Sequence, residues 1–277
     1  MELAELLAHP TPLPSSPRVL ALLLTELKQV QPDLRRIDQF IKADPVLSLR
    51  MLQVANAPFF GLSGKVCSVS EALALLRLEQ VHSLVGQALV QTTFKAGAGL
   101  PLMQFWAYSH DCARVARALA GLLQQNQQAA YVAGLIHALG ELVMRAALPR
   151  ALVLDEICPP LDFRRARAER QLFGYCYTEL SSAMAQKAKL PEILCDALAN
   201  AHAPFDHDAY EPLAGVLHLA QWRARANQQG LQHNALTVTF PSLVAEILGL
   251  DIDMVLQQDP IDWSRQVTGS VLPSPQS

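Results

Sequence analysis

The stretch IKADPVLSLRMLQVANAPFFG at 41–61 holds a helix start, a helix and a loop in one reading frame. Asp44 followed by Pro45 reads as an N-cap with proline at the first helical position, where the missing N–H is no loss and φ is already helical. The helix runs to NAPFFGL at 56–62, a shaped loop that passes through Gly61 and Gly64 to a second start signal, the capping box SVSE at 68–71. Two adjacent phenylalanines are hard to bury together in so short a loop. One of Phe59 and Phe60 is therefore expected to anchor the loop and the other to stand partly exposed as a partner contact, with Asn56 beside them. The alternative is that both rings are core.

Helical spacing continues outward almost everywhere, and the one alternation of strand type, ALTVTF at 235–240, is too short to build a sheet. The fold class is all-α, with on the order of a dozen helices of ordinary length. Two glycines and a proline in TTFKAGAGLP at 92–101 break the periodicity and divide the chain into helical lobes at 1–95 and 96–277. A second flexible place is expected at RARANQQGLQHN, 223–234, after which Pro241 opens a helix through Leu250 and the chain ends in a frayed tail, SVLPSPQS. No fixed repeat period appears, which disfavours a solenoid.

Of the 277 residues, 51% are hydrophobic and 17% charged, so much of the chain must be buried and a disordered protein is excluded. No run approaches the roughly 18 apolar residues of a membrane span. MELAELLAHP lacks the basic flank of a secretory signal, and five scattered cysteines without a C-x-x-C pair suit a reducing compartment. The expectation is a soluble cytoplasmic protein that does not engage a membrane. A formal net charge of −3 supplies no global attraction to nucleic acid.

Residue by residue, no active site stands out. His137 lies in the apolar run AGLIHALGEL at 133–142 and reads as a core histidine with Glu141 as its i, i+4 partner. His110 aligns with Arg114 and Arg117 on a polar stripe and reads as solvated, and His202 closes a helix just before Pro204. Arg164, Arg165, Arg167 and Arg170 in FRRARAER read as a solvated helix face rather than a nucleic-acid site, because aromatic platforms are missing. No phosphate loop, nucleophile elbow or pair of catalytic carboxylates is present.

LPSSP at 13–17, the 41–61 stretch and VSEALALLRLEQV at 69–81 resemble the N-terminal lobe of the HDOD family, the HD-related output domains of bacterial signalling proteins. FWAYS at 105–109, YVAGLIHALGELV at 131–143, ERQLFGYCYTELSSAMAQKAKLP at 169–191 and AHAPF at 201–205 continue the resemblance into the second lobe. Ala57 and Leu76-Arg77 are small departures. The likeness implies an N-terminal helical lobe packed on a degenerate HD-like lobe, and at this length no attached receiver or enzymatic domain.

HD-type proteins hold metals with histidines and aspartates and hydrolyse phosphoesters. His137 matches the histidine of their consecutive His-Asp pair, but Ala138 replaces the aspartate, Tyr108 and Tyr177 stand at histidine positions, and Gln221 replaces a late aspartate. Glu141 stands where a lysine is common, and only His137 and His202 remain as ligands. Two imidazoles without a carboxylate suit a hard divalent ion poorly. The resemblance thus implies a vestigial pocket of Tyr108, His137, Ala138, Glu141, Tyr177, His202 and Gln221 with no metal, no cofactor and no catalysis. The implied role is a regulatory module that binds a protein of a bacterial signalling pathway or a small regulator. The competing readings are a phosphohydrolase with an atypical site of His110, His137, Glu141 and His202, and nucleic-acid binding through the 164–170 arginines.

Overall fold

A computed structural model describes residues 2–8, 13–91, 102–160, 162–206 and 211–257. The first half consists of α1 (Leu3–Ala8), α2 (Pro17–Leu27), α3 (Leu34–Lys42), α4 (Pro45–Ala55), α5 (Val69–Leu75) and α6 (Leu78–Gln91). The second begins with α7 (Leu102–Leu122), α8 (Gln127–Ile136), α9 (Leu139–Ala147), α10 (Pro149–Val153) and α11 (Arg165–Phe173). It continues with α12 (Tyr177–Lys187), α13 (Glu192–Asn200), α14 (Pro212–Gln228), α15 (His233–Thr239), α16 (Ser242–Ile247) and α17 (Ile252–Gln257). There is no strand among the described residues, as an all-α reading requires. The expected lobe boundary at 92–101 and the C-terminal tail lie outside the described residues.

Asp44 carries more than its own helix. Its carboxylate accepts from Leu47 N at 2.9 Å, capping α4, and from Ser16 N at 2.7 Å, where Ser16 is the N-cap of α2. One fully buried acid therefore fixes two helix starts against each other. The buried apolar residues, from Leu6 to Val255, form one continuous cluster through both halves.

The second half is organised by two glycines on either side of His137. A Cβ on Gly134 would lie 2.6 Å from Ala113 Cα, so α8 meets the backbone of α7 with nothing between them. A Cβ on Gly140 would lie 2.2 Å from the Tyr177 carbonyl, so the start of α9 presses on the start of α12 in the same way. Ser181 completes the second contact: its Oγ donates to His137 O at 2.7 Å and accepts from Gly140 N at 2.8 Å. Gln127–Ala147, which spans α8 and α9, is long and apolar enough to cross a membrane, a stretch the sequence reading did not anticipate, but 89% of the window is buried inside the fold. Its apolarity is that of a buried core segment.

Three local expectations are corrected. ALTVTF is not extended but helical, in α15: Thr239 Oγ1 bonds back to Ala235 O at 2.7 Å and accepts from Trp222 Nε1 at 3.1 Å. A period-2 run this short fits one helical face as well as a strand. The 223–234 segment is a loop only over 229–232, because α14 continues to Gln228 with Ala224 and Ala226 buried and α15 begins at His233. The helix after Pro241 stops at Ile247 rather than Leu250, turned out by Gly249 at φ 70°.

Gly140→Ala drives a methyl into the Tyr177 carbonyl and the Ser181 amide of α12 and is expected to lower the free energy of unfolding by about 3 kcal/mol in urea titration. An unchanged midpoint would show that the α9–α12 approach relaxes freely.

Candidate functional site

His137 caps the C-terminus of α8 and is 1% exposed. Its Nδ1 lies 2.7 Å from Gly134 O, so Nδ1 carries the proton and Nε2 keeps a lone pair. That Nε2 has no partner among the described residues, and the Tyr108 ring packs edge-on at 5.2 Å. Burial pushes the imidazole down to about 4, so it is neutral near pH 7. A metal-binding histidine has this same arrangement, with one nitrogen donating to a carbonyl and the other free to ligate.

The partners that would complete a metal site are missing. Ala138 is buried at the start of α9 and offers no donor. Tyr108 extends its hydroxyl to the backbone oxygen of Gln221 at 3.5 Å, and burial raises it above its ordinary value. Tyr177, at the start of α12, is buried and raised for the same reason. Gln221 is 2% exposed, and its Nε2 has no partner among the described residues. No group of three or more His, Cys, Asp or Glu among the described residues is placed to hold a metal ion. The residues present do not fit one.

Glu141 is not the partner of His137, which is a correction. Both of its oxygens are buried without a hydrogen bond, and its nearest counter-ion is Arg165, whose Nε lies 3.9 Å away. Arg165 in turn corrects the reading of FRRARAER as one solvated face, for it is wholly buried. Its Nε donates to Glu169 at 2.8 Å, its Nη1 to Asp155 at 2.7 Å and Cys158 O at 2.6 Å, and its Nη2 to Ala151 O at 3.0 Å. Glu169 also accepts from Tyr177 N at 2.8 Å, which ties α11 to α12, and Arg145 pairs with Asp155. Burial, then the Glu169 charge, raise the Glu141 carboxyl well above the carboxylate range. With Glu141 protonated, two guanidiniums face two carboxylates and the cluster is neutral.

Of the other two histidines singled out, His110 is placed otherwise than expected and His202, just past a helix end, as expected. His110 is buried, not solvated: its ring Nε2 lies 3.1 Å from Ala43 O, which joins α7 to the end of α3, and burial lowers it to about 4. His202 sits just beyond α13 with Nε2 2.8 Å from Arg170 Nη1 and Nδ1 3.4 Å from Thr178 Oγ1. Burial first and then Arg170 hold it below the ordinary histidine value. His110 and Glu141 therefore serve other contacts and do not join His137 and His202.

The 56–62 loop divides as expected for its rings, with Phe59 87% exposed and Phe60 partly buried against the core, the two edge-to-face at 5.2 Å. Asn56 is corrected as a partner contact. It is fully buried, with Nδ2 donating to Leu52 O and Val66 O at 3.0 and 2.9 Å and Oδ1 accepting from Lys65 N and Val66 N at 3.2 and 3.1 Å, so it closes the loop.

A cavity of about 560 Å³ opens beside this site, lined by Tyr177, His202, Gln221 and three residues the sequence reading did not single out, His218, Trp222 and Arg225. The signal was available: in HLAQWRAR, His218, Gln221, Trp222 and Arg225 fall at i, i+3, i+4 and i+7, one face of α14.

Arg165→Met would leave the buried Glu169 and the half-buried Asp155 with Arg145 as their one cation and is expected to lower stability by about 3–5 kcal/mol. Glu141→Gln should hold or raise stability. A carboxyl raised on folding contributes its stability fully below the unfolded value and loses it as pH rises through the folded one. The wild-type urea midpoint should therefore fall from about pH 5 to 8 more steeply than that of Glu141→Gln. Parallel pH profiles would disprove the burial of this carboxyl.

A family model for the HDOD domain matches residues 13–204. A protein of Treponema pallidum (strain Nichols) is 26% identical over 207 residues, which is 70% of this chain and 39% of that protein's length. Among solved structures, the MmoQ response regulator of Methylococcus capsulatus str. Bath superposes with a TM-score of 0.68 at 22% identity over 89% of this chain and 97% of its own. A proposed phosphohydrolase of Shewanella amazonensis SB2B reaches 0.55 at 22% identity over 94% of each chain. These two likenesses carry the fold alone. The match over 13–204 carries the family, and the chain belongs to the HDOD family.

Proposed function

We propose that the chain is a non-catalytic regulatory module of a signalling pathway, working in the cytoplasm and receiving a partner protein or a small regulator. The observation that carries the reading is the donor set around His137: Ala138 in place of a carboxylate, and two buried tyrosines where further ligands would stand. Metal-assisted phosphoester cleavage needs a cation held by several ligands to polarise phosphate and activate water, and these side chains do not supply that ligand set. Five unpaired buried cysteines agree with a reducing compartment.

The hydrolase reading keeps one observation in its favour, the unbonded Nε2 of His137 in a ligating tautomer. Nucleic-acid binding loses ground, because Arg165 is buried, Arg164 pairs with Asp162 at 2.9 Å and Arg170 with Glu179 at 3.3 Å.

Purified protein is expected to carry no stoichiometric transition metal after dialysis and to leave general phosphodiester substrates intact with or without manganese. One retained metal equivalent that His137→Ala removes would overturn the non-catalytic reading.

The exposed Phe59 ring is the accessible part of the 56–62 loop and the place to seek a protein contact. Phe59→Ala should leave thermal stability nearly unchanged and weaken capture of the native partner, whereas Phe60→Ala should cost up to about 3 kcal/mol. If Phe59→Ala captures the partner as well as wild type, the loop is structural and the contact lies elsewhere.

A further inference from the structure

The cavity beside α14 is built for an anion. Arg225 lines it, and its guanidinium makes no hydrogen bond or ion pair among the described residues. Gln221 lines it too, 2% exposed, with a buried amide nitrogen that has no acceptor among the described residues. A cation and an unbonded donor on one helix face, in a space of about 560 Å³, have the size and polarity of a small-molecule site, for which roughly 300–1,000 Å³ is usual.

The other walls narrow the ligand. His202 accepts from Arg170 at Nε2, so its proton sits on Nδ1 and is turned to Thr178. His218 has Nδ1 2.8 Å from Ala201 O, so it donates there, and its Nε2 is left as an acceptor. Burial holds His218 neutral, pushing it down to about 4. The Trp222 N–H is spent on Thr239, so the indole presents its ring, and Phe163 stands 74% exposed at the rim. Asp162, an acid whose carboxyl the Arg225 charge also lowers, accepts from Arg164 N and Nε at 2.8 and 3.1 Å.

We propose that this cavity binds a small amphiphilic organic anion: an oxyanion head on Arg225 and the Gln221 amide, a flat apolar body against Trp222 and Phe163, and a hydroxyl or N–H group donating to His218 Nε2. Arg suits such a head because its planar fork matches two oxygens at once. The inference rests on the non-catalytic reading of the same site and names the class of its small regulator. A carboxylate and a phosphate would satisfy the head equally.

The probe is 8-anilinonaphthalene-1-sulfonate, which carries an anionic head, a flat body and an N–H, titrated by fluorescence into the full chain. One equivalent should bind. Arg225→Gln should weaken it tenfold or more, Arg225→Lys less, and Gln221→Leu severalfold, each with an unchanged cooperative melt. N-phenyl-1-naphthylamine, the same rings without the sulfonate, should bind alike to wild type and Arg225→Gln. Displacement by benzoate or by phenyl phosphate then tells a carboxylate from a phosphate source. Absent stoichiometric binding, or equal affinity in wild type and both Arg225→Gln and Gln221→Leu, would overturn the anion site. Metal content and phosphodiester cleavage measured on the same preparation would instead decide the non-catalytic reading, so the two can fail separately.

Discussion

Gly134 and Gly140 hold the backbone on either side of His137 in van der Waals contact with α7 and α12. Neither position has room for a Cβ, so the chain between them cannot shift without separating two helix pairs. Ser181 locks the same place by polar means, bonding both the His137 carbonyl and the Gly140 amide. His137 is thereby fixed in position by its neighbours rather than by anything its own ring binds. A site held in this way can lose its chemistry while keeping its shape.

The charges beside His137 are balanced among themselves. A buried carboxylate without a counter-ion is costly, and Glu141, Glu169 and Asp155 meet around Arg165 and Arg145. Arg165 gives up every exposed surface to bind two acids and two carbonyls, while Glu141 takes the raised value that leaves the cluster neutral. The same acid, Glu169, receives the first amide of α12, so the ionic cluster and the glycine contact stabilise one junction from two sides.

The parts of the fold that depend on local chemistry were legible in the sequence. Asp44-Pro45 and SVSE cap helices as their spacing implies, with Ser68 accepting from Glu71 N at 3.2 Å, and the phenylalanine pair splits into an exposed and a packed ring. Helical periodicity could not say which polar side chains would be enclosed by distant elements. Arg165 and His110 sit on stripes that look polar locally and Asn56 enters a loop, and each is buried because another segment, at Asp155, Ala43 or Val66, closes over it. The pocket proposed as vestigial was placed by resemblance, and the cavity beside it was missed because His218, Trp222 and Arg225 match no metal-ligand pattern.

What remains at the site is an asymmetry between its floor and its wall. The floor, His137 with Tyr108 and Ala138, is closed, neutral and fixed by backbone contact. The wall, the His218–Arg225 face of α14, is open to the cavity and keeps one uncommitted cation. Chemistry at the floor would need a metal to supply charge, whereas recognition at the wall needs only the guanidinium already there. The two glycine contacts join α8 to α7 and α9 to α12 without involving α14, so side chains facing the cavity can change without touching them. A fold of this kind can pass from a reaction to a binding event through substitution at a few positions, with its backbone intact.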